Sequence, residues 1–326
     1  MGMTPQEIYQ LITPELLLVE DELRGYTRSE IGTISEISEY LLNAGGKRIR
    51  PALLLLTAKM LGDVSPMAIR LATVVEFIHN ATLVHDDIID AADTRRGRPS
   101  ANSHWGNSMT VLAGDWLYMQ SFAVALAEKN FEVLNTLIDI TQKMVEGELL
   151  QLTLLGKSAI TEQQLLDIVE RKTAYLFSGC TKLPAIAAGM NHGSAERLAE
   201  AGKCLGMAFQ LVDDLLDLTS TTDVLGKPVA SDLKEGKMTL PVFFALSRGN
   251  PEDTKKVQQV LDEREFRSVD RAEILRLVQQ SDGLDRTRTL ATNYATRAIH
   301  LLGEFPPSIY RDAMIRIPEF ILTRTA

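Results

Sequence analysis

Apolar residues recur at three- and four-residue intervals along nearly the whole chain, and this spacing limits the fold more than any other feature. Leu71, Val74, Val75, Ile78 and Thr82 form one such stripe, and Leu205, Ala208, Phe209, Val212, Leu215 and Leu216 form another. A third runs through Leu134, Leu137, Ile138, Thr141, Met144 and Val145. Side chains so spaced share one face of an α-helix and call for burial against other helices. Helix ends are equally legible. Ser65 before Pro66 reads as an N-cap and first helical residue, and Thr161 with Gln164 as a capping box. Gly45-Gly46 stops the helix that carries Ile37, Tyr40, Leu41 and Ala44. No alternating strand pattern, linker, low-complexity tract or short repeat interrupts this reading. The expected architecture is all-α, as a single large domain over residues 1–326.

Of the 326 residues, 45% are hydrophobic, which supplies a core and excludes intrinsic disorder. Lys and Arg number 34 against 43 Asp and Glu, a net charge of -9. Such a chain repels nucleic acid and anionic lipid at long range, so no nucleic-acid partner is expected. An anionic ligand would need local clusters of basic residues. The two cysteines, Cys180 and Cys204, form no CxxC pair and imply neither a zinc site nor a disulfide framework. Met1 to Glu7 shows no basic segment followed by an apolar stretch, so no secretory signal is expected. Apolar runs such as Ala52 to Leu56 are too short to span a bilayer, and the expected location is the cytoplasm.

Two acidic clusters share one spacing. His85-Asp86-Asp87-Ile88-Ile89-Asp90 ends the first stripe, and Val212-Asp213-Asp214-Leu215-Leu216-Asp217 repeats its DDxxD pattern within the second. Asp86 and Asp90 lie four apart on one helix face, where like charges destabilise a helix unless a cation compensates them. Gln210 precedes Asp213 on the same face. Hard carboxylate oxygens suit Mg²⁺, which keeps several waters and shares its other positions with substrate phosphates. Two such clusters on opposing helices would grip one diphosphate through bridging ions. Basic residues flank both clusters. Gly45-Gly46-Lys47-Arg48-Ile49-Arg50-Pro51 and Asp93-Thr94-Arg95-Arg96-Gly97-Arg98-Pro99 break the helical pattern, and a polar loop from Thr219 to Thr239 holds Lys227, Lys234 and Lys237. Guanidinium forks bind phosphate oxygens bidentately, which suits Arg50, Arg95 and Arg96 to a diphosphate.

Competing motifs fit less well. Gly156-Lys157-Ser158 matches the end of a P-loop, but Gln151 stands where glycine is required and no strand precedes it. His85-Asp86 also fits the His-Asp pair of helical metal-dependent phosphohydrolases. That chemistry needs several histidine ligands, and the chain offers only His79, His104, His192 and His300 besides His85. It would also leave the second acidic cluster unexplained.

The sequence resembles the trans-isoprenyl diphosphate synthases of the terpenoid synthase type, and most closely their long-chain, octaprenyl branch. The resemblance rests on GGKRIRP at 45–51, HDDIID at 85–90, DTRRGRPSAN at 93–102 and GDWLY at 114–118. It continues through GELLQL at 147–152, Lys172-Thr173, Phe209 to Asp214 and DLKEGK at 232–237. It implies a helical fold around a central cleft, a homodimer and Mg²⁺ as cofactor, with up to three ions. Carried over by position, Asp86, Asp87 and Asp90 would be the first set of metal ligands, and Asp213, Asp214 and Asp217 the second. Arg95, Lys172, Lys227 and Lys237 would hold the allylic diphosphate, such as farnesyl diphosphate. Lys47, Arg50, His79 and Arg96 would hold isopentenyl diphosphate. Lys172, Thr173 and Gln210 would steady a carbocation. The tail from Ile321 to Ala326 departs from the pattern, because it lacks the strongly basic end of some short-chain relatives.

Product length is implied by the same resemblance. In short-chain relatives a bulky aromatic at the position of Ala81 closes the pocket, and here that position is small. Ala81 and Thr82 would lie beside the growing chain, with the floor set by Phe77, Ala125 or Leu137. The implied product has about forty carbons and serves quinone side chains, with transient membrane contact at its release. A short-chain geranylgeranyl diphosphate synthase, a catalytically silent partner subunit and a phosphohydrolase are the alternatives. Residues beyond about Asn250 show amphipathic patterns alone and are expected to serve packing.

Overall fold

The computed structural model describes residues 3–43, 45–62, 64–95, 97–220, 229–247 and 251–324. The elements are helical almost throughout. In chain order they are α1 (Pro5–Gln10), α2 (Thr13–Tyr26), α3 (Gly32–Asn43), α4 (Ile49–Met60), α5 (Pro66–Ile89), α6 (Ala101–Trp105), α7 (Asn107–Ala127) and α8 (Phe131–Leu154). Next come α9 (Glu162–Val169), a π-turn (Glu170–Ala174), α10 (Tyr175–Ala187), α11 (His192–Thr219) and α12 (Ser231–Lys234). Then follow α13 (Leu240–Leu246), α14 (Pro251–Glu263), α15 (Arg271–Gln280), α16 (Gly283–Gly303) and α17 (Ile309–Thr323). Among the described residues the one sheet is a two-stranded ladder, β1 (Thr94–Arg95) antiparallel to β2 (Arg98–Pro99), inside the second basic segment.

The helix signals in the sequence operate as expected. Ser65 accepts from the Ala68 amide with Pro66 in the first turn of α5. Thr161 and Gln164 form a reciprocal capping box on α9, satisfying two donors that a helix start would otherwise leave open. The stretch read as a polar loop after Thr219 is partly a helical turn, α12, while Thr221 to Pro228 lie outside the described residues.

Contacts group the chain into two compact units. The first comprises residues 1–141, 176–199 and 302–316. Its core is built on α4, α5 and α7, with Leu53, Leu54, Leu55 and Leu56 of α4 and Leu71, Val74, Val75, Phe77 and Ile78 of α5 all fully buried. Each such side chain contributes about 1.5–3 kcal/mol relative to an exposed one. By length and hydropathy α5 would also pass for a membrane span. Yet 72% of its most apolar window is buried inside the protein, as befits a core helix.

The second unit comprises residues 142–175, 200–301 and 317–326. Val169, Ala174 and Met207 pack together there, with Leu166 and Tyr294 against them. Gly283 begins α16 so close to α13 that a Cβ would lie 2.3 Å from the Pro241 carbonyl oxygen. Both cysteines are buried and free.

One stripe behaves differently from its expected role. Leu137, Thr141 and Met144 of α8 face inward, but Ile138 and Val145 are exposed. They belong to a second apolar row, Phe131, Ile138, Val145 and Leu152, spaced by sevens along the outside of the helix. Leu112, Met119 and Leu126 make the same pattern on α7. Periodicity alone merges two faces into one stripe when apolar residues cover both.

Candidate active site

In the first unit, the basic loop before α4 is held by its own arginine. Arg48 adopts a left-handed backbone and reaches Glu20 at 2.6 Å and the buried Glu76 of α5 at 2.7 Å. The Tyr9 hydroxyl donates to the Lys47 carbonyl. Arg48 is therefore structural, and its fixation presents Lys47 and Arg50 on either side of it. The Arg50 guanidinium lies over the Phe177 ring, 5.2 Å from its centroid.

The first acidic cluster sits at the end of α5, with Asp90 as its C-cap. Its three carboxylates are not equivalent. Asp86 and Asp90 are half-buried, whereas Asp87 points inward, is 2% exposed, and accepts from Arg95 Nε at 2.6 Å. Burial pushes the Asp87 carboxyl above the usual carboxylate range, Arg95 opposes that, and Asp90 adds to it. The sequence reading gave Asp87 and Arg95 to metal and diphosphate separately; the structure joins them to each other. Asp87 and Asp90, three apart, remain neighbours on the helix surface, so the inward Asp87 still adjoins the cluster.

The ladder carrying Arg95 is anchored by Tyr40, whose hydroxyl donates to the Pro99 carbonyl at 2.7 Å, and by Arg98, which donates to the Asn43 carbonyl. Ser100, Asn102 and Ser103 close the same loop onto the Ala92 and Asp93 carbonyls. Arg96 lies outside the described residues.

His85 is accommodated by the GDWLY segment of α7. A Cβ at Gly114 would lie 2.4 Å from His85 Nε2, so glycine lets the ring sit where it does without a shift. The ring lies 3.4 Å from Asp115 and stacks on Tyr118. Burial and the Asp86 charge push the Tyr118 phenol well up. His79 is half-buried and its carbonyl accepts from Thr82 Oγ1. Phe77, Ala81, Ala125 and Leu137 are all fully buried, and Thr82 is partly so.

In the second unit, the π-turn and α11 are tied together by side chains. Thr173 Oγ1 donates to Gln210 Oε1 at 2.9 Å, and Gln210 Nε2 donates to Asp214 Oδ1 at 3.0 Å. Burial pushes the Asp214 carboxyl well above its usual range, and Asp232, Asp213 and Asp217 push it further. The Gln210 hydrogen bond opposes them. Asp217 receives the Ser231 and Asp232 amides at 3.3 Å each, so it also caps α12. Lys172 Nζ donates to Gln151 at 2.6 Å, and Lys237 pairs with Glu235 at 2.8 Å. Lys227 lies outside the described residues.

Two participants escaped the sequence reading. Arg324 lies 2.9 Å from Asp213 and over the Phe209 ring, although the tail was assigned to packing. Asp232, which opens the DLKEGK motif, bears electrostatically on Asp214. The donor chemistry of the second cluster suits a divalent cation. Hard oxygens converge on a buried Asp214 whose ionisation their mutual repulsion opposes, a deficit that Mg²⁺ would relieve. The ligands are not ready-arranged, since among the described residues no three His, Cys, Asp or Glu side chains form a metal-holding group.

Comparison with known proteins decides the family. The polyprenyl synthetase family model matches residues 32–278. The chain belongs to the polyprenyl synthetase family. It is 35% identical to the octaprenyl diphosphate synthase of Haemophilus influenzae over 316 residues, covering 97% of this chain and 95% of that protein. It is 34% identical to a short chain isoprenyl diphosphate synthase of Methanothermobacter thermautotrophicus over 296 residues, covering 90% of each. The polyprenyl synthase of Caulobacter crescentus, solved with calcium and isoprenyl diphosphate, superposes with a TM-score of 0.94 at 33% identity, covering 100% of this chain and 99% of that one. As a polyprenyl synthetase with this all-helical fold, the protein is a trans-prenyltransferase. It acts on isoprenyl diphosphates with a metal-dependent chemistry.

Proposed function

We propose that the protein is a long-chain synthase that adds isopentenyl diphosphate to an allylic diphosphate such as farnesyl diphosphate, yielding about forty carbons for a quinone side chain. The observation carrying the length is Ala81, a fully buried methyl five residues before Asp86 on α5. At ~1.5 Å per residue it lies about 7 Å along the helix from Asp86. A chain growing past that point meets no bulky side chain there, and Phe77, Ala125 and Leu137 supply the floor. A short-chain product is the rival outcome.

Asp86, Asp87 and Asp90 would hold Mg²⁺ in the first cluster, and Asp213, Asp214 and Asp217 in the second, for up to three ions. Asp87 also holds Arg95 beside the first cluster. Bound Mg²⁺ stabilises the negative charge that develops on the departing diphosphate. Arg95, Lys172, Lys227 and Lys237 bind the allylic diphosphate as its carbon–oxygen bond breaks. Lys47, Arg50, His79 and Arg96 place isopentenyl diphosphate so that its double bond attacks the allylic cation, and alignment supplies much of the rate. Thr173, aimed by Gln210, presents its hydroxyl dipole to that cation. A proton then leaves to the released diphosphate.

The chain works as one domain, a reading supported by the family match, whose residues 32–278 draw on both units. It works as a homodimer in the cytoplasm, touching membrane transiently at product release. The exposed rows Leu112, Met119, Leu126 and Phe131, Ile138, Val145, Leu152 support the dimer, since monomeric proteins seldom expose such extended apolar faces.

The test is incubation with farnesyl diphosphate, labelled isopentenyl diphosphate and Mg²⁺, followed by sizing of the products. Turnover by the purified protein alone excludes a silent subunit. Ala81→Tyr is expected to shorten the product to about fifteen or twenty carbons, since the ring would stand in the proposed path of the growing chain. Full-length product from that variant would remove the argument for length.

A further inference from the structure

The GELLQL segment of α8 has no part in the chemistry above, yet it grips the π-turn at several points. A Cβ on Gly147 would lie 2.7 Å from Arg171 Cβ and 2.9 Å from the Lys172 amide nitrogen. Glu146, just before it, pairs with Arg171. One turn further, Gln151 Oε1 accepts from Lys172 Nζ at 2.6 Å, and Glu148 Oε2 lies 2.5 Å from the same nitrogen. The next residue, Thr173, turns instead to Gln210.

A π-turn holds one residue more than an α-helical turn and is seldom adopted without support. Here it rotates Lys172 towards α8 and Thr173 towards α11. Any closer approach is limited by backbone, and any looser one would break the Lys172 contacts. Gly147 thus sets the distance between α8 and the turn, and the two polar side chains set the direction of the ammonium. Of the three ammonium donors one is given to Gln151, and the Glu148 carboxylate lies against the same nitrogen as a counter-charge. Together they hold the ammonium in place before any ligand arrives. A flexible four-carbon side chain ordered in advance loses less entropy when it meets a phosphate oxygen.

We propose that Gln151 is a positioning residue for Lys172, with Glu148 as its local counter-charge and Gly147 fixing the register of the π-turn. This rests on the reading of Lys172 as a ligand of the allylic diphosphate. Gln151→Leu changes no charge and preserves much of the volume. It is expected to raise KM for farnesyl diphosphate about five- to tenfold, the net scale of one hydrogen bond. KM for isopentenyl diphosphate and Tm should stay close to those of the parent. Glu148→Gln keeps an acceptor beside the ammonium and should shift the same KM less than about twofold. In a Lys172→Ala background, Gln151→Leu should add nothing, because its effect passes through Lys172.

The experiment is steady-state kinetics on these variants with each substrate varied, alongside thermal unfolding. Equal rises in both KM values with a large fall in Tm would make Gln151 a packing residue and overturn the proposal. So would an unchanged farnesyl KM in Gln151→Leu, or an undiminished effect in the Lys172→Ala background. An unchanged farnesyl KM in Lys172→Ala itself would instead remove the underlying role of Lys172, and this proposal with it.

Discussion

Arg324 Nη1 stands 2.9 Å from Asp213 Oδ1, with its Cζ over the Phe209 ring, 4.7 Å from the centroid. Phe209 and Asp213 are four apart on α11, so one helix face offers the arginine both an apolar platform and a counter-ion. The second acidic cluster thus holds a cation contributed by the chain's own tail. Asp87 and Arg95 repeat the arrangement in the first cluster. Each group of carboxylates keeps an arginine beside one of its members.

That pairing predicts competition. Arg324→Ala removes a positive charge next to Asp213, so Mg²⁺ should bind the ligand-free protein more tightly. The pair is partly exposed, at 24% and 35%, which limits it to roughly 0.2–1 kcal/mol. Calorimetric titration with Mg²⁺ should therefore show an affinity gain of up to about fivefold. Unchanged or weaker binding would show that the tail does not compete with metal.

Asp86→Ala and Asp213→Ala are expected to lower kcat by about two to three orders of magnitude or more, since each removes charge stabilisation of roughly 3–4 kcal/mol. Both residues are half-buried at helix faces, so far-ultraviolet circular dichroism should remain that of the parent. Near-normal turnover in either variant would cancel its assignment as a metal ligand.

Two diphosphates need two basic groups. Lys47→Ala and Arg50→Ala should mainly raise KM for isopentenyl diphosphate, and Lys227→Ala mainly that for the allylic substrate. Arg48→Ala should differ from all of these by lowering Tm, because it leaves the buried Glu76 without its partner. Initial rates with each substrate varied, and melting curves, separate the three behaviours. A reversed kinetic pattern would mean that the two substrate sites are exchanged.

The cysteines predict an alkaline effect. Burial pushes the Cys180 thiol up to about 12 and the Cys204 thiol up to about 11, whereas an unfolded thiol titrates near ~8.5. Between those values the folded chain binds more protons than the unfolded one, so stability falls as pH rises through the window. Below about pH 8 the thiols contribute no such slope. Urea unfolding at pH 8 and pH 10 should show a smaller loss in a Cys180→Ala, Cys204→Ala variant than in the parent. Iodoacetamide at pH 8 should label neither cysteine until the protein unfolds; rapid native labelling would contradict their burial.

Much of the site was legible because its signals are local. A carboxylate spacing of three and four, a glycine at a helix stop or a Ser-Pro helix start needs no knowledge of distant chain. The same locality explains the errors. Ile138 and Val145 were grouped with inward residues because periodicity counts apolar positions and cannot see which face is covered. The Asp87–Arg95 pair is not legible in the motif, which shows which residues are charged and not which counter-ion the fold brings to each.

The sequence by itself determined the helical class, the helix ends, the paired acidic clusters and, through its motifs, the family. These depend on interactions within a few residues or on residue chemistry that survives any packing. Only the tertiary structure decided which charges are joined. Arg48 with Glu76, Lys172 with Gln151, Thr173 with Gln210 and Arg324 with Asp213 are separated by long stretches of chain. An arginine carries the same charge in every sequence context, so its partner is chosen by the packing that brings one acid within reach.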